Sequence, residues 1–355
     1  MVMKSQCNNP YVQRGGALLI LVLILVIAVT TALFSVVDGN SVKIERNKKT
    51  YAALAEAKTA LVGYALQHVS KPGTLPCADT TNDGSADTSG ANNCDAFVGR
   101  LPWKQLGVSM LKDGYSECLW YALSPIFRNQ MTASNRALNP LNSTTNGTIS
   151  LVDDADTPIA GINPIIAVIL APHNPVNGQS RSGAATSYCP GDSLASNYLD
   201  VKGAVNNATG NVAGNNYTFK MGKLDDTFND QILYITANEF YPLLRKRITK
   251  EILGDVSVPS GLIGYYQAVV TYPCPAKTLT GDADCTPPLG NKVPYNDATT
   301  PLQYASLGTW LIGNGWFAMT TYTYVSSTHI SVTVTDPLGS YTCDANMNVV
   351  SCSSP

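Results

Sequence analysis

Charge is scarce in this chain. Lysine, arginine, aspartate and glutamate make up 14% of its 355 residues and nearly cancel, for a formal net charge of −2. No basic surface is available to attract nucleic acid. Asn, Ser, Thr, Gly and Tyr carry the polarity instead, which suits a solvated surface of loops and strands. Histidine is scarcer still, with only His68, His173 and His329. None stands at ligand spacing from a cysteine and no C-x-x-C pair occurs, so a zinc-thiolate site is disfavoured. A Walker loop, a dinucleotide fingerprint and an H-E-x-x-H helix are all missing. Gly178-Gln179-Ser180-Arg181-Ser182-Gly183 looks superficially like a nucleophile elbow, but its glycines do not flank either serine at the required offsets. His173 lies nearby between Pro172 and Pro175, in irregular chain. No convincing catalytic constellation emerges, and the reading is of a chain that is not an enzyme.

Cysteine, by contrast, is plentiful. Of the 9 present, Cys7 stands alone near the start and eight follow: Cys77, Cys94, Cys118, Cys189, Cys274, Cys285, Cys343 and Cys352. An even set points to disulfides and an oxidising compartment. Eight cysteines allow 105 pairings. Proximity favours Cys77 with Cys94, Cys274 with Cys285 and Cys343 with Cys352, leaving Cys118 with Cys189. Each closed loop of about 15 residues stabilises by about 3 kcal/mol in the chain-entropy model.

One long hydrophobic run breaks the polar pattern. No charge occurs from Ala17 to Val37, a length that spans a hydrocarbon core of roughly 30 Å at about 1.5 Å per helical residue. Asp38, Gly39 and Asn40 are the only weak helix formers before Ser41 to His68. There Val42, Tyr51, Leu54, Ala55, Lys58, Leu61, Val62 and Ala65 fall near three- and four-residue spacing. A single helix from Gly16 to about His68 follows, its first half in lipid. A cleaved signal peptide needs a shorter apolar region and a better site than Thr30-Thr31-Ala32. A plain uncleaved anchor is the second alternative. Flanking charge does not settle orientation, with Lys4 and Arg14 before the run and Lys43, Arg46, Lys48 and Lys49 after it.

The junction Val12-Gln13-Arg14-Gly15-Gly16-Ala17-Leu18-Leu19-Ile20-Leu21, leading into this run, resembles the N-terminus of type IV pilins and type II secretion pseudopilins. The resemblance implies a leader over residues 1–15, removed by a prepilin peptidase after Gly15, with Gly16 as the alternative cut point and as the methylated new N-terminus. It also implies that Ala17, Leu18, Leu19, Ile20 and Leu21 open a helix held in inner-membrane lipid and later buried against other pilins or pseudopilins in a filament. The family's glutamate at the fifth mature position is replaced here by Ile20. A buried carboxylate there needs a partner, the neighbouring subunit's N-terminal amine in those families, and a subunit without it resembles the K-type minor pseudopilin at the tip. The implied placement is inner membrane, single-pass, with a periplasmic C-terminal region. A membrane-anchored binding module or adhesin is the alternative function.

Ser70-Lys71-Pro72-Gly73 ends the helix. Beyond it, the runs Gly99-Arg100-Leu101-Pro102-Trp103-Lys104-Gln105-Leu106-Gly107 and Asp113-Gly114-Tyr115-Ser116-Glu117-Cys118-Leu119-Trp120-Tyr121-Ala122 resemble segments of a pseudopilin-like family with a large periplasmic region. Between Cys77 and Cys94 the acidic segment Asp79 to Asp87 sets Asp79, Asp83 and Asp87 in a glycine-containing loop, as a calcium loop does. Thr81 and Gly90 depart from the EF-hand pattern, and a solvated, disulfide-closed loop is the competing reading. Calcium occurs in several pseudopilins, so the resemblance admits it here.

Downstream, Ile149 to Val152 reads as an edge strand, and Ile165 to Leu170, apolar without alternation, as a buried one. Thr236-Ala237-Asn238-Glu239 is a capping box for a helix with the stripe Phe240, Leu244, Ile248 and Ile252, closed by Gly254. Lys246, Arg247 and Lys250 are expected on its solvated side. Ile330, Val332 and Val334 alternate with Ser331, Thr333 and Thr335 as a half-buried strand. Leu75-Pro76-Cys77 and Tyr272-Pro273-Cys274, each followed by an acidic turn, make the two halves echo each other. The expected fold class is α+β. A long pilin-like helix (16–69, transmembrane part 17–37) packs on antiparallel sheets in two lobes, 70–235 and 236–355, as a duplicated helix-plus-sheet unit would.

Overall fold

The computed structural model describes residues 16–90, 93–129, 131–132, 139–162, 164–176, 178–181, 188–279, 281–295 and 307–354, with first-helix side chains over 21–30 and 41–67. The chain divides into two compact units, Met1–Lys49 and Thr50–Pro355. Helix α1 (Gly16–Gln67) supplies residues to both. In the larger unit its buried stripe is Thr50, Ala53, Leu54, Ala57, Leu61 and Ala65. Tyr51 and Ala55, expected on that face, are exposed, as is Val42. The reason is steric: small side chains let neighbouring backbone approach, and the Gly114 amide donates to Thr50 Oγ1 at 2.9 Å. The helix stops where the Gly73 amide reaches back to the Ala65 carbonyl at 2.7 Å. Gly73 has φ +93°, and a Cβ there meets Leu244 Cδ2 at 2.7 Å.

The rest of the larger unit follows in chain order. Strands β1 (Thr88–Ser89) and β2 (Asn93–Cys94) form a ribbon, followed by β3 (Val98–Arg100), β4 (Trp120–Leu123), β5 (Ile149–Val152) and β6 (Ile165–Ala171). A second ribbon, β7 (Val201–Lys202) with β8 (Val205–Asn206), precedes β9 (Tyr217–Lys220) and β10 (Gln231–Thr236). Helices α2 (Ala237–Leu253), α3 (Gly261–Val269) and α4 (Leu307–Gly313) lead into β11 (Thr320–Ser326), β12 (His329–Asp336), β13 (Gly339–Asn346) and β14 (Val349–Ser353).

Six strands make the main sheet, in the order β3-β4-β6-β5-β9 with β10 also on β6. All seven residues of β6 are buried, because both faces are covered. Ile166, Ile169 and Ala171 join a core with α1 and α2, while Ile165, Val168 and Leu170 join a second core with Trp120, Tyr198 and Phe219. This two-sided burial is what an unalternating apolar strand requires. The last four strands form an antiparallel meander, and its Ile330, Val332 and Val334 enter the first core.

Helix α2 begins at the expected cap, with Thr236 Oγ1 accepting from the Glu239 amide at 3.2 Å. It buries Phe240, Leu244, Ile248 and Ile252. Its basic side is not merely solvated: Arg247 Nε donates to the Leu66 carbonyl at 3.1 Å, closing the end of α1.

The antiparallel, duplicated architecture expected from the sequence is corrected on several points. The main sheet is mixed, since β5 and β9 run parallel. The meander is consecutive while the main sheet is not, so the Pro-Cys-acid echo reflects similar turns rather than a repeated unit. Only the Thr50–Gln67 part of α1 belongs to the unit that contains the sheets. Among the described residues no helix is long and apolar enough to cross a membrane. The single-pass placement with a transmembrane part at 17–37 is therefore withdrawn.

Arg245 of α2 meets Asp336 of β12 at 2.5 Å with both side chains buried. Removing one partner of such a pair strands the other charge in the core. Asp336→Ala is expected to lower unfolding stability by about 3–5 kcal/mol, and Arg245→Met combined with Asp336→Leu by much less; urea melts of the oxidised proteins measure both.

Candidate functional site

Three regions bear on function. In the smaller unit, Gly16, Ala17, Leu18, Leu19 and Ile20 lie within α1, while Gly15 and Cys7 fall outside the described residues. From Leu21 to Thr30 every side chain is exposed. The large ones range from 50% exposed at Val29 to 63% at Leu21. Thr30 Oγ1 satisfies itself on the Val26 carbonyl at 2.8 Å, so this stretch presents aliphatic surface on all sides of the helix.

The second region is the acidic loop, closed by the Cys77–Cys94 disulfide. The other bonds are Cys118–Cys189, Cys274–Cys285 and Cys343–Cys352, the last two favoured by proximity and the first the pair that those choices leave. Asp79 is buried and its Oδ1 accepts from the Asn82 amide at 2.7 Å, its Oδ2 from the Gly84 amide at 2.7 Å. Asp87 Oδ2 accepts from the Thr80 amide at 2.7 Å and the Thr81 amide at 2.9 Å. The Thr81 amide also reaches Asp79 Oδ1 at 3.1 Å, so Thr81 serves the two carboxylates as a donor. Asp83 turns to its own Ser85 amide at 2.7 Å. The carboxylates thus spend their oxygens on backbone donors, and among the described residues no three His, Cys, Asp or Glu gather to hold a metal ion. The calcium reading is withdrawn on that arrangement.

Burial pushes the Asp79 carboxyl up, against the backbone bonds that hold it ionised. For Asp87, partial burial also pushes upward, but the bonds from Thr80 and Thr81 outweigh it and leave the group below its ordinary value. The loop is backed by Trp103, whose ring lies so close to Gly84 (φ +86°) that a Cβ there meets it at 2.5 Å. Trp103 packs edge-on against Tyr188 at 5.6 Å, and Lys104 Nζ sits 3.9 Å from the Tyr188 ring centre.

The third region was not anticipated as a unit. Asp113 Oδ2 accepts from the His173 amide at 2.8 Å and its Oδ1 from the Tyr115 amide at 2.8 Å. Arg181 donates to the carbonyls of Pro172, Asn197 and Tyr198 at 3.2, 3.1 and 3.1 Å and to that of His173, and it pairs with Glu117 at 3.3 Å. Gln179 carries the network to Asp200 at 2.8 Å. Asp200 in turn accepts from the Asn229 and Asp230 amides, and its own amide donates to Asp230 Oδ2 at 2.8 Å. Burial, then the Asp200 charge, raise Asp230 well above its ordinary value.

Burial holds the His173 imidazole below its ordinary value despite Asp113 and a Gln231 hydrogen bond, and Arg181 adds to the lowering. His173 has φ +51° and its Nε2 has no hydrogen-bond partner among the described residues. Most of the network's bonds go to backbone amides and carbonyls, which fixes the loops that carry them. Ser182 and Gly183 of the elbow-like run lie outside the described residues. The Asp113-Gly114 turn and the Pro172-His173 irregularity were visible in sequence, but not that one side chain, Arg181, would join them. Comparison with protein-family models, with curated proteins and with solved structures finds no match to this chain.

Because Asp87 has a folded-state value below that of the unfolded chain, its stabilisation is present above the ordinary carboxylate range and is lost as pH falls through the folded value. Asp87→Asn is therefore expected to lower the melting temperature at pH 7, with the gap to wild type closing as pH drops below about 4; thermal melts across that range read the difference. Asn at position 230 mimics the neutral acid favoured by burial, so Asp230→Asn is expected to cost little at pH 7, whereas Asp200→Ala unfolds the network. Amide exchange at Asn229 and Asp230 separates the two variants.

Proposed function

We propose that this chain is a minor pilin-like or pseudopilin-like subunit, without enzymatic activity, that joins a filament at its tip or initiation complex by burying α1 against the helices of like subunits. The observation that carries the reading is the run of exposed aliphatic side chains from Leu21 to Val29. A helix apolar on every side is ordinarily buried in its working state, and each exposed side chain of that size gains about 1.5–3 kcal/mol when fully covered. Ile20 fits a position where no partner amine is available to pair a carboxylate. Four disulfides in the larger unit suit an oxidising compartment. The Arg14-Gly15 junction supplies the resemblance to a prepilin peptidase substrate.

Intact-mass and N-terminal peptide measurements on chain purified from a host with an active prepilin peptidase test the proposal. The expected product begins at N-methylated Gly16, and Gly15→Val blocks its formation. Recovery of a chain that still begins at Met1 in that host sinks the reading.

A further inference from the structure

Three Asn-Gly pairs occur in the chain, Asn146-Gly147, Asn177-Gly178 and Asn314-Gly315. Such a pair carries a latent reaction, because glycine lacks the Cβ that would keep its amide nitrogen from the preceding side-chain carbonyl. How firmly each group is held decides whether the reaction runs. Asn177 falls outside the described residues.

Asn314 is fully buried. Its Oδ1 accepts from the Leu141 amide at 2.5 Å, its Nδ2 donates to the Trp310 carbonyl at 2.8 Å, and the Gly315 amide donates to the Ile312 carbonyl at 2.9 Å. Every group that would have to react is engaged. Asn146, by contrast, is exposed, and among the described residues no hydrogen bond holds its side-chain amide or the Gly147 amide. The same dipeptide thus stands once locked and once free.

We propose that Asn146-Gly147 is a site of spontaneous covalent modification, where the side chain loses ammonia through a cyclic imide and the approach to β5 becomes aspartyl or isoaspartyl. The Gly147 nitrogen attacks Asn146 Cγ and bonds to it as the bond from Cγ to Nδ2 breaks, and the glycine's amide proton leaves with Nδ2 as ammonia. Water then opens the imide at one of its two carbonyls. Opening at Cγ restores the ordinary backbone with an aspartate, whereas opening at the main-chain carbonyl leaves the chain running through Cβ and Cγ as isoaspartate.

The fold distinguishes the two products. Aspartate keeps the length of the chain and adds a charge at an exposed place. Isoaspartate lengthens the backbone by one atom, between two points that are pinned. On one side the Thr145 carbonyl accepts from the Tyr241 hydroxyl of α2 at 2.7 Å, and the Thr145 amide donates to the Asn142 carbonyl at 2.8 Å. On the other, the Thr148 amide donates to Ser124 Oγ at 3.0 Å and its carbonyl accepts from the Tyr217 amide at 2.9 Å. Gly147 itself is pressed on β6 so closely that a Cβ there meets the Ile165 carbonyl oxygen at 1.8 Å. The added atom therefore breaks at least one of these bonds, and the aspartyl product breaks none.

The test ages the full oxidised chain carrying Asn177→Gln in mildly alkaline buffer and maps its peptides by mass spectrometry, with aspartyl and isoaspartyl forms separated by chromatography. Asn146 is expected to convert to both acids while Asn314 keeps its amide. The isoaspartyl fraction melts about 2–4 °C below fresh protein, the shift expected from the loss of one hydrogen bond, whereas Asn146→Asp, measured fresh, melts with the parent. Asn146→Gln, whose longer side chain disfavours ring closure, ages without either change. The proposal is overturned if Asn146 keeps its amide, if Asn314 converts as fast, if the isoaspartyl fraction melts with fresh protein, or if Asn146→Gln loses stability on ageing at the parent's rate.

Discussion

Helix α2 is gripped from several sides, and it joins α1, the main sheet and the meander. Its start is tied to the main sheet, because β10 runs straight into its cap at Thr236. Lys58 of α1 meets Glu239 at 2.6 Å, Arg247 closes the end of α1, and Leu244 packs where Gly73 turns the chain out of that helix. On the other side Arg245 enters the meander to find Asp336. Both sheets thus share one apolar core and depend on one helix for it. The buried ion pair adds specificity of a different kind: greasy packing tolerates rotation of the meander on α2, whereas a desolvated guanidinium accepts few positions for its partner.

Where regular structure is thin, buried polar groups take over the role of packing. Among the described residues between β6 and β9 the short ribbon β7–β8 is the only strand structure, yet Tyr198, Leu199, Asp200 and Asn207 there are buried. Loops bring backbone amides and carbonyls inside, and each needs a partner. Arg181 supplies several donors at once, and Asp113, Asp200 and Asp230 supply acceptors for amides that no ladder reaches. Arg100 performs a related task by lying between Trp120 and Tyr198, at 4.5 and 4.1 Å from the ring centres. The low charge content of the sequence is consistent with this use, since several of its scarce ions are interior parts.

How far the sequence disclosed this depends on whether the determining interaction was local. The α2 cap and stripe, the buried run of β6 and the alternation in β12 follow from neighbours a few residues apart, and the structure contains them; three disulfides join cysteines 9 to 17 positions apart, and Cys118–Cys189 is the pair left over. On α1 the sequence placed Leu54, Leu61 and Ala65 on the buried face, as found, but Tyr51 and Ala55 there as well, because a period near 3.6 leaves the margin of the face open where Tyr51 and Thr50 adjoin; tight approach of the Asp113-Gly114 turn selected the threonine. The parallel β5–β9 pair, the reach of Arg247 to Leu66 and the convergence on Arg181 involve long sequence separations that no local pattern encodes. The acidic loop deceived for a subtler reason. Alternate aspartates suit a cation and a bend rich in amides equally well, and only the direction of the carboxylates separates the two.

Helix α1 combines two sequence styles. From Leu21 to Val29 it is aliphatic all round, and from Thr50 to Ala65 it carries one narrow stripe of small residues and leucine amid polar neighbours. The second style is satisfied by the chain's own sheet and by α2. The first stays exposed among the described residues, and aliphatic surface of this extent is costly in water.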